Sequence, residues 1–480
     1  MKPILRILGL LLAVEGALML LCGLVGLAMH DRTSLTMLPP ALFTAAVGLL
    51  LCMLFNKNRA IADKRMAYLG VVLFWIALAA FGMLPFLTSH SLGTVADAAF
   101  ESMSGFASAG ATVFQTVAAL PPSILLWRSL SQWVGGFGII LLVLAIVPTL
   151  GINKYSLYTA EASGADNTGK LTTSMADTIR QTLSVYLCLT LLFIVLLWVD
   201  GLTLWQAVNT TFTHISSGGF SIFDDGIASL SHSQQLILLA AMLLSGVNFA
   251  FLYHLFTLKF KMLRNKLDQI SFYLLLNAAA IVFTSLALHY RMDYGWGDAW
   301  RCGAVQSVSV VTTTGTQIAD TRLWWPPVTF LFLLLSLCGG MAGSTSGGLK
   351  AMRVLILLRN VRNALRNRLH PNAVNPVRLN KKPVSQELIT NVMVIFFIYL
   401  FTLAVAIFVF LLCGVDATEG IGAAVGCLSG YGPGLGNCGG FGSYAHLAPL
   451  VKWVCTTLML LGRLECLAVY MLLFPAFWRR

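Results

Sequence analysis

The run Val311-Thr312-Thr313-Thr314-Gly315-Thr316 follows an apolar segment too short to cross a bilayer and precedes one long enough to do so. A segment of that length enters a membrane from one side and turns back. Glycine tolerates backbone dihedrals that bulkier residues resist, so such a loop can aim its carbonyl oxygens inward, and a ring of carbonyls can replace an ion's hydration shell. One loop closes no ring. Three more glycine loops occupy comparable places: Ser108-Ala109-Gly110-Ala111, Ser216-Ser217-Gly218-Gly219 and Gly430-Tyr431-Gly432-Pro433. Re-entrant backbone survives at membrane depth only when buried in protein or lining a wet cavity, so the four loops are expected on one shared axis.

Around these loops a unit recurs: long apolar helix, outer loop, short apolar helix, glycine loop, long apolar helix, basic connection. The units cover 66–165, 166–265, 266–384 and 385–480, and Gly110, Gly218, Gly315 and Gly432 lie 108, 97 and 117 residues apart. Such repetition defines the architecture. Residues 1–65 precede the repeats as a two-helix accessory hairpin, apolar over 4–29 and 38–56. The expected fold class is an all-α polytopic membrane protein with four membrane–pore–membrane repeats around a central pore, plus the N-terminal helical hairpin. The short helices would aim their negative C-terminal ends at the axis and favour a cation there.

Composition excludes a soluble domain: 58% of the 480 residues are hydrophobic and 10% are charged, where soluble domains carry roughly 25% charged residues. The stretch 4–29 exceeds the core of about 7–15 residues of a secretory signal and is expected to be a retained span. The net charge of +12 does not point to nucleic acid, because its position decides. Basic residues gather in alternate connections: Lys57, Arg59, Lys64 and Arg65; Lys154 and Lys170; Lys259, Lys261, Arg264 and Lys266; and the run from Lys350 to Lys382. The positive-inside rule makes that side, with both termini, cytoplasmic. The other side carries Asp97, Glu101, Asp200, Asp224, Asp320 and Glu419, a bias that concentrates cations outside. Ten cysteines with no CxxC pair read as small packing hydrophobes.

Five features need individual readings. Glu15 lies within the first helix, where a carboxylate is either functional or protonated or locally paired in a peripheral helix. His214 lacks a second ligand at useful spacing and reads as a hydrogen-bonded structural histidine. Gly434-x-Gly436-x-x-Gly439 matches a dinucleotide motif, but no strand precedes it and no βαβ unit surrounds it. The run Gly339-Gly-Met-Ala-Gly-Ser-Thr-Ser-Gly-Gly348 is too glycine-dense for a stable helix. It reads as an intramembrane gate loop in preference to a GxxxG helix contact through Gly339 and Gly343. Arg463 sits in the last apolar helix beside Glu465 and either pairs with a carboxylate or faces the pore below the filter. His-Glu-x-x-His and Gly-x-Ser-x-Gly motifs are absent, which argues against an enzyme.

Gly-Gly-Met-Ala-Gly-Ser-Thr-Ser-Gly-Gly-Leu-Lys350, Gly-Pro-Gly-Leu-Gly436, Gly-Arg463-Leu-Glu and the four repeats together resemble the Trk/Ktr/HKT potassium transport superfamily. The extra N-terminal hairpin and the Gly-Pro-Gly-Leu pattern make the chain most similar to its bacterial TrkH/TrkG potassium-uptake subunits. The resemblance implies a K+-selective, channel-like path in the bacterial inner membrane, with K+ as transported ion and no bound organic cofactor. It implies a homodimer, with one pore per protomer, that docks a cytosolic TrkA-type nucleotide-binding ring on its basic face. K+ would be bound by carbonyls at Ser108, Ala109 and Gly110; Ser216, Ser217 and Gly218; Thr313, Thr314 and Gly315; and Gly430, Tyr431 and Gly432. The gate would comprise Gly339, Gly340, Gly343, Gly347 and Gly348, with Arg463 facing the pore. Ser108 stands where threonine is common in relatives, and Gly430-Tyr431 also departs from the pattern, so the ring of hydroxyls is incomplete. Glycine in all four loops still favours potassium. The competing reading is a secondary transporter coupling K+ to H+ or Na+, yet no filter loop carries an acid.

Overall fold

A computed structural model describes residues 2–55, 64–149, 175–258, 267–370 and 375–479. Lys57, Arg59, Lys154, Lys170, Lys259, Lys261, Arg264 and Lys266 lie outside the described residues. The hairpin comprises α1 (Lys2–Ala28) and α2 (Leu38–Leu54). Small residues let the two backbones meet: a Cβ on Gly48 would lie 2.4 Å from the Ala13 nitrogen and 2.6 Å from the Gly9 oxygen, as in membrane helix contacts generally. The Asp31 carboxylate caps the connecting turn through Thr33 N–H at 2.9 Å and accepts from the Ser123 hydroxyl at 2.6 Å. That bond fastens the hairpin to the pore-forming body.

The next unit runs α3 (Lys64–Gly82), α4 (Leu84–Thr88), α5 (Val95–Phe106) and α6 (Pro122–Thr149). It is followed by α7 (Met175–Val199), α8 (Leu204–Ile215), α9 (His232–Ser245) and α10 (Phe249–Phe256). The third unit is α11 (Leu267–Met292), α12 (Trp296–Val311), α13 (Pro326–Cys338) and α14 (Ala351–Leu369). The last contains α15 (Gln386–Leu412), α16 (Ala417–Ser429), α17 (Pro449–Arg463) and α18 (Leu467–Leu473). Six helices among the described residues are long and apolar enough to cross a membrane, and two bent pairs add to them.

The helices α5, α8, α12 and α16 have 12, 12, 16 and 13 residues. At the α-helical rise they extend about 18–24 Å, short of a hydrocarbon core of roughly 30 Å. Their C-terminal halves are almost wholly buried, so they run into the protein and stop. Thr94 caps α5, and Thr203 with Gln206 forms a capping box on α8, fixing where each begins.

The sequence predicts an interrupted return helix only in the third unit. The structure interrupts three of the four. Besides the gap between α13 and α14, α9 and α10 meet at a 105° bend and α17 and α18 at 112°. One hydrophobic cluster joins the hairpin with the first and fourth units, and a second joins the second and third units. The four loop ends lie where the two clusters meet. A two-stranded hairpin, Arg378–Leu379 against Lys382–Pro383, is the only strand structure among the described residues.

Candidate ion filter and gate

Each short helix ends with a residue in the left-handed region: Ser108 (φ 51°), Ser217 (φ 54°), Thr313 (φ 54°) and Gly430 (φ 69°). Two residues later stands a left-handed glycine: Gly110, Gly219, Gly315 and Gly432. In the first three ends a Schellman pair satisfies the last helical carbonyls. Ala109 N–H donates to Ser104, Gly218 to Thr213 and Thr314 to Ser309, at 2.9, 2.8 and 2.8 Å. The fourth end closes through Gly432 N–H to Gly426 at 3.0 Å.

This common geometry aligns the second loop differently from the sequence reading. The triad equivalent to Ser108–Gly110, Thr313–Gly315 and Gly430–Gly432 is Ser217-Gly218-Gly219, one residue beyond the expected Ser216-Ser217-Gly218. Ser216 is right-handed (φ −78°, ψ −4°) and its hydroxyl donates back to Thr213, so it closes the helix. Doubled serines followed by doubled glycines allow both registers in the sequence; the helix end selects one.

The loops meet in cyclic order. A Cβ on Gly110 would lie 2.4 Å from the Gly218 oxygen, on Gly219 1.9 Å from that of Thr314, on Gly315 2.0 Å from that of Tyr431, and on Gly432 2.4 Å from that of Ala109. Only glycine permits these approaches in this conformation. Among the described residues, no donor reaches the carbonyls of Ala109, Gly110, Thr313, Thr314, Gly430 or Tyr431. Buried carbonyls are nearly always paired, so a cluster left unpaired around one axis is suited to a cation.

Side chains behind the ring hold it. Buried Gln132 donates to the Gly218 carbonyl at 2.9 Å and accepts from Phe220 N–H at 3.0 Å. His214 bridges the Thr210 carbonyl (2.7 Å) and the Thr316 hydroxyl (3.0 Å), which makes it the structural histidine expected. Gln306 and Gln317 both reach the Tyr431 hydroxyl, at 3.3 and 3.2 Å, so that tyrosine points away from the axis into a polar network. Sequence reasoning missed the fully buried pair of Arg128 and Glu101, at 2.8 Å. The Glu101 carboxylate also accepts from Thr112 and from Val113 N–H, and Arg128 donates to the Ser221 carbonyl at 3.2 Å, lying over the Phe220 ring. The pair therefore joins the segments leaving loops one and two. Lys452 and Asp97 form another pair, at 2.6 Å. The rule that singled out Glu15 and Arg463, an ionisable residue within an apolar segment, would have flagged these residues one by one, though not their pairing. Glu15 itself is buried, and its carboxylate has no hydrogen-bond partner among the described residues, so local pairing does not account for it.

The segment between α13 and α14 is not helical and lies against three of the loops. Gly348 N–H donates to the Ser429 carbonyl at 2.8 Å, Gly347 N–H to the Thr313 hydroxyl at 2.6 Å, and Thr345 bonds the Ser217 hydroxyl at 2.8 Å. Gly339, Gly343 and Gly348 are left-handed, while Gly340 and Gly347 are places of close approach, to the Ser346 hydroxyl and the Ser429 carbonyl. A GxxxG helix contact through Gly339 and Gly343 is therefore not what the run forms. Arg463 donates to Thr345 at 3.2 Å and to the carbonyls of Gly135 and Gly136 in α6. Glu465 pairs with Arg353 of α14.

On the other side of the ring, a cavity of about 90 Å³ is lined by Gly110, Gly219, Gly315 and Gly432 together with Asp224 and Gln317. One Asp224 oxygen accepts from the N–H groups of Val117 and Ala118, which holds that side chain against the cavity. The Arg322 guanidinium holds the nearby Asp320 carboxyl below the usual carboxylate range.

The family model for TrkH, described as a cation transport protein, matches residues 38–479. The chain belongs to the TrkH family. The Trk system potassium uptake protein TrkH of Salmonella typhimurium is 31% identical over 481 residues, covering 100% of this chain and 99% of that protein. TrkH of Halomonas elongata is 32% identical, with complete coverage of both. TrkG of Escherichia coli is 32% identical over 86% of each. The crystal structure of the potassium transporter TrkH from Vibrio parahaemolyticus superposes with a TM-score of 0.89 at 30% identity, over 100% of this chain and 99% of that one. This TrkH-family chain is thus a multi-pass helical membrane protein of a cation-transport family and not an enzyme.

Proposed function

We propose that this protein is a channel-like potassium-uptake subunit in which backbone carbonyls of four loops select K+ and Rb+. The observation that carries the reading is the closed ring of left-handed glycines, each against a carbonyl of the next loop, with unpaired carbonyls beside them. The filter triads are Ser108-Ala109-Gly110, Ser217-Gly218-Gly219, Thr313-Thr314-Gly315 and Gly430-Tyr431-Gly432. Carbonyl dipoles replace the hydration shell of an entering ion, and the C-terminal ends of α5, α8, α12 and α16 add negative potential at the same point. Glycine fixes the spacing because any side chain would collide with the neighbouring loop. The potassium-uptake names of the relatives support the choice of ion.

The gate is Gly339–Gly348 with Arg463. It bonds to loops two, three and four, and Arg463 ties it to α6, so an opening movement must break these bonds together. The four units 66–165, 166–265, 266–384 and 385–480 each supply one wall, and residues 1–65 are accessory. The basic end faces the cytoplasm of a bacterial inner-membrane protein with both termini inside. Its α14 exposes Arg362, Arg366 and Arg368 beside Leu358, Val361 and Leu365, suited to a TrkA-type nucleotide-binding ring and a second protomer.

The test is flux through liposomes holding the purified chain, under imposed voltage, comparing K+, Rb+, Na+ and Li+. Voltage-driven K+ and Rb+ passage with Na+ and Li+ excluded is expected. A reversal potential that moves with a proton or sodium gradient would instead establish a coupled transporter.

A further inference from the structure

At the outer end of the fourth unit, three residues of different chemistry converge. Glu419 stands in the first turn of α16, Cys438 in a 3-10 turn Gly436–Cys438 beyond loop four, and His446 just before α17. One Glu419 oxygen receives the Cys438 thiol at 3.3 Å and meets His446 Nε2 at 2.5 Å. All three ligand atoms lie within 4.8 Å of one another. Glu419 and Cys438 are buried, while the His446 side chain is 38% exposed.

We propose that Glu419, Cys438 and His446 form a binding site for one zinc-class divalent cation on the outer rim of the vestibule. A tetrahedral ion with Zn–S of about 2.3 Å and Zn–N or Zn–O of about 2.0–2.2 Å places its ligand atoms roughly 3.3–3.6 Å apart, so small side-chain shifts complete the set. The fourth position falls on the exposed His446 side, where water can occupy it. One thiolate, one imidazole and one carboxylate favour Zn2+ over Mg2+ or Ca2+, which take oxygen ligands. Binding displaces the thiol proton to solvent and needs the neutral imidazole with its proton on Nδ1, so the proton shared by His446 Nε2 and Glu419 also leaves that contact; the metal–ligand bonds replace both hydrogen bonds to Glu419.

The elements are already positioned. Asp416 caps α16 through Thr418 N–H at 2.9 Å. Lys452 donates to the Ala445 carbonyl at 2.7 Å and fixes the turn that presents His446. Cys438 also lines the vestibule with Gly432 and Tyr444, so an ion here would brace loop four from behind.

The test titrates the purified 480-residue chain with Zn2+ by calorimetry, and with Cd2+ while following thiolate-to-metal ultraviolet absorption. One equivalent is expected to bind. His446→Ala, on a half-exposed side chain, should weaken binding at least about tenfold while leaving the chromatographic profile unchanged. Cys438→Ser should abolish the Cd2+ absorption. No stoichiometric binding to the native chain, or binding by both variants as tight as that of the native chain, would overturn the site.

Discussion

Gly347 donates its N–H to the Thr313 hydroxyl at 2.6 Å, so the segment proposed as the gate is bonded to the residue at which the third pore helix ends. Thr313 is left-handed at φ 54°, a rare state for a β-branched residue, and is held from both sides. Its N–H satisfies Val310 in the helix and its hydroxyl accepts from the gate. A displacement of either element is therefore transmitted directly to the other.

Thr313→Val keeps the shape and removes the acceptor. A net hydrogen bond is worth about 0.5–1.5 kcal/mol, so basal K+ flux in liposomes should rise a few-fold to about tenfold as the closed gate loses one tie. Flux equal to the parent, with intact folding, would show that this bond does not hold the gate.

Arg463 separates tether from charge. Its guanidinium spans carbonyls of Thr345 and of α6, and charge-assisted bonds contribute about 1.5–3 kcal/mol each. Arg463→Ala should raise basal flux by about tenfold or more. Arg463→Lys keeps the charge but not the fork: flux near the parent level identifies an electrostatic barrier, and flux near that of Arg463→Ala identifies a tether.

The order of elements, the glycine loops and the non-helical glycine run 339–348 were legible because each is marked locally, by segment length or glycine density. Features that depend on two distant segments were not. Arg128 and Glu101 are both plain in the sequence, but nothing local says that they meet. The bend at Glu465 and Cys466 places non-glycine residues at φ 55° and 60°, with no glycine run to announce it. The second-loop register was ambiguous because Ser216 and Ser217 differ only in backbone conformation.

That register is open to experiment. Gly219 is left-handed and faces the Thr314 carbonyl, whereas a Cβ on Gly218 would meet the Gln132 side chain at 2.4 Å. Gly219→Ser should therefore relax the K+ over Na+ permeability ratio about as strongly as Gly315→Ser, which disturbs the Tyr431 contact. Gly218→Ser should weaken folding or flux more than selectivity, by displacing Gln132. A larger selectivity loss at Gly218 than at Gly219 would restore the earlier register.

The buried pair behind loops one and two gives the largest expected loss of stability. Glu101 and Arg128 are 0% and 2% exposed, and removing one partner of a buried pair costs about 3–5 kcal/mol because the other charge is stranded. Arg128→Met should thus lower the thermal unfolding temperature in detergent markedly. Adding Glu101→Gln should recover part of the loss, since a neutral amide can still accept from Thr112 and Val113 N–H. The double variant should fold yet select K+ less well, because the Ser221 carbonyl loses its guanidinium donor and loop two its brace. If the double variant were as unstable as Arg128→Met alone, the contact of the Arg128 guanidinium with the Phe114 and Phe220 rings, and not the ion pair, would be what the site requires.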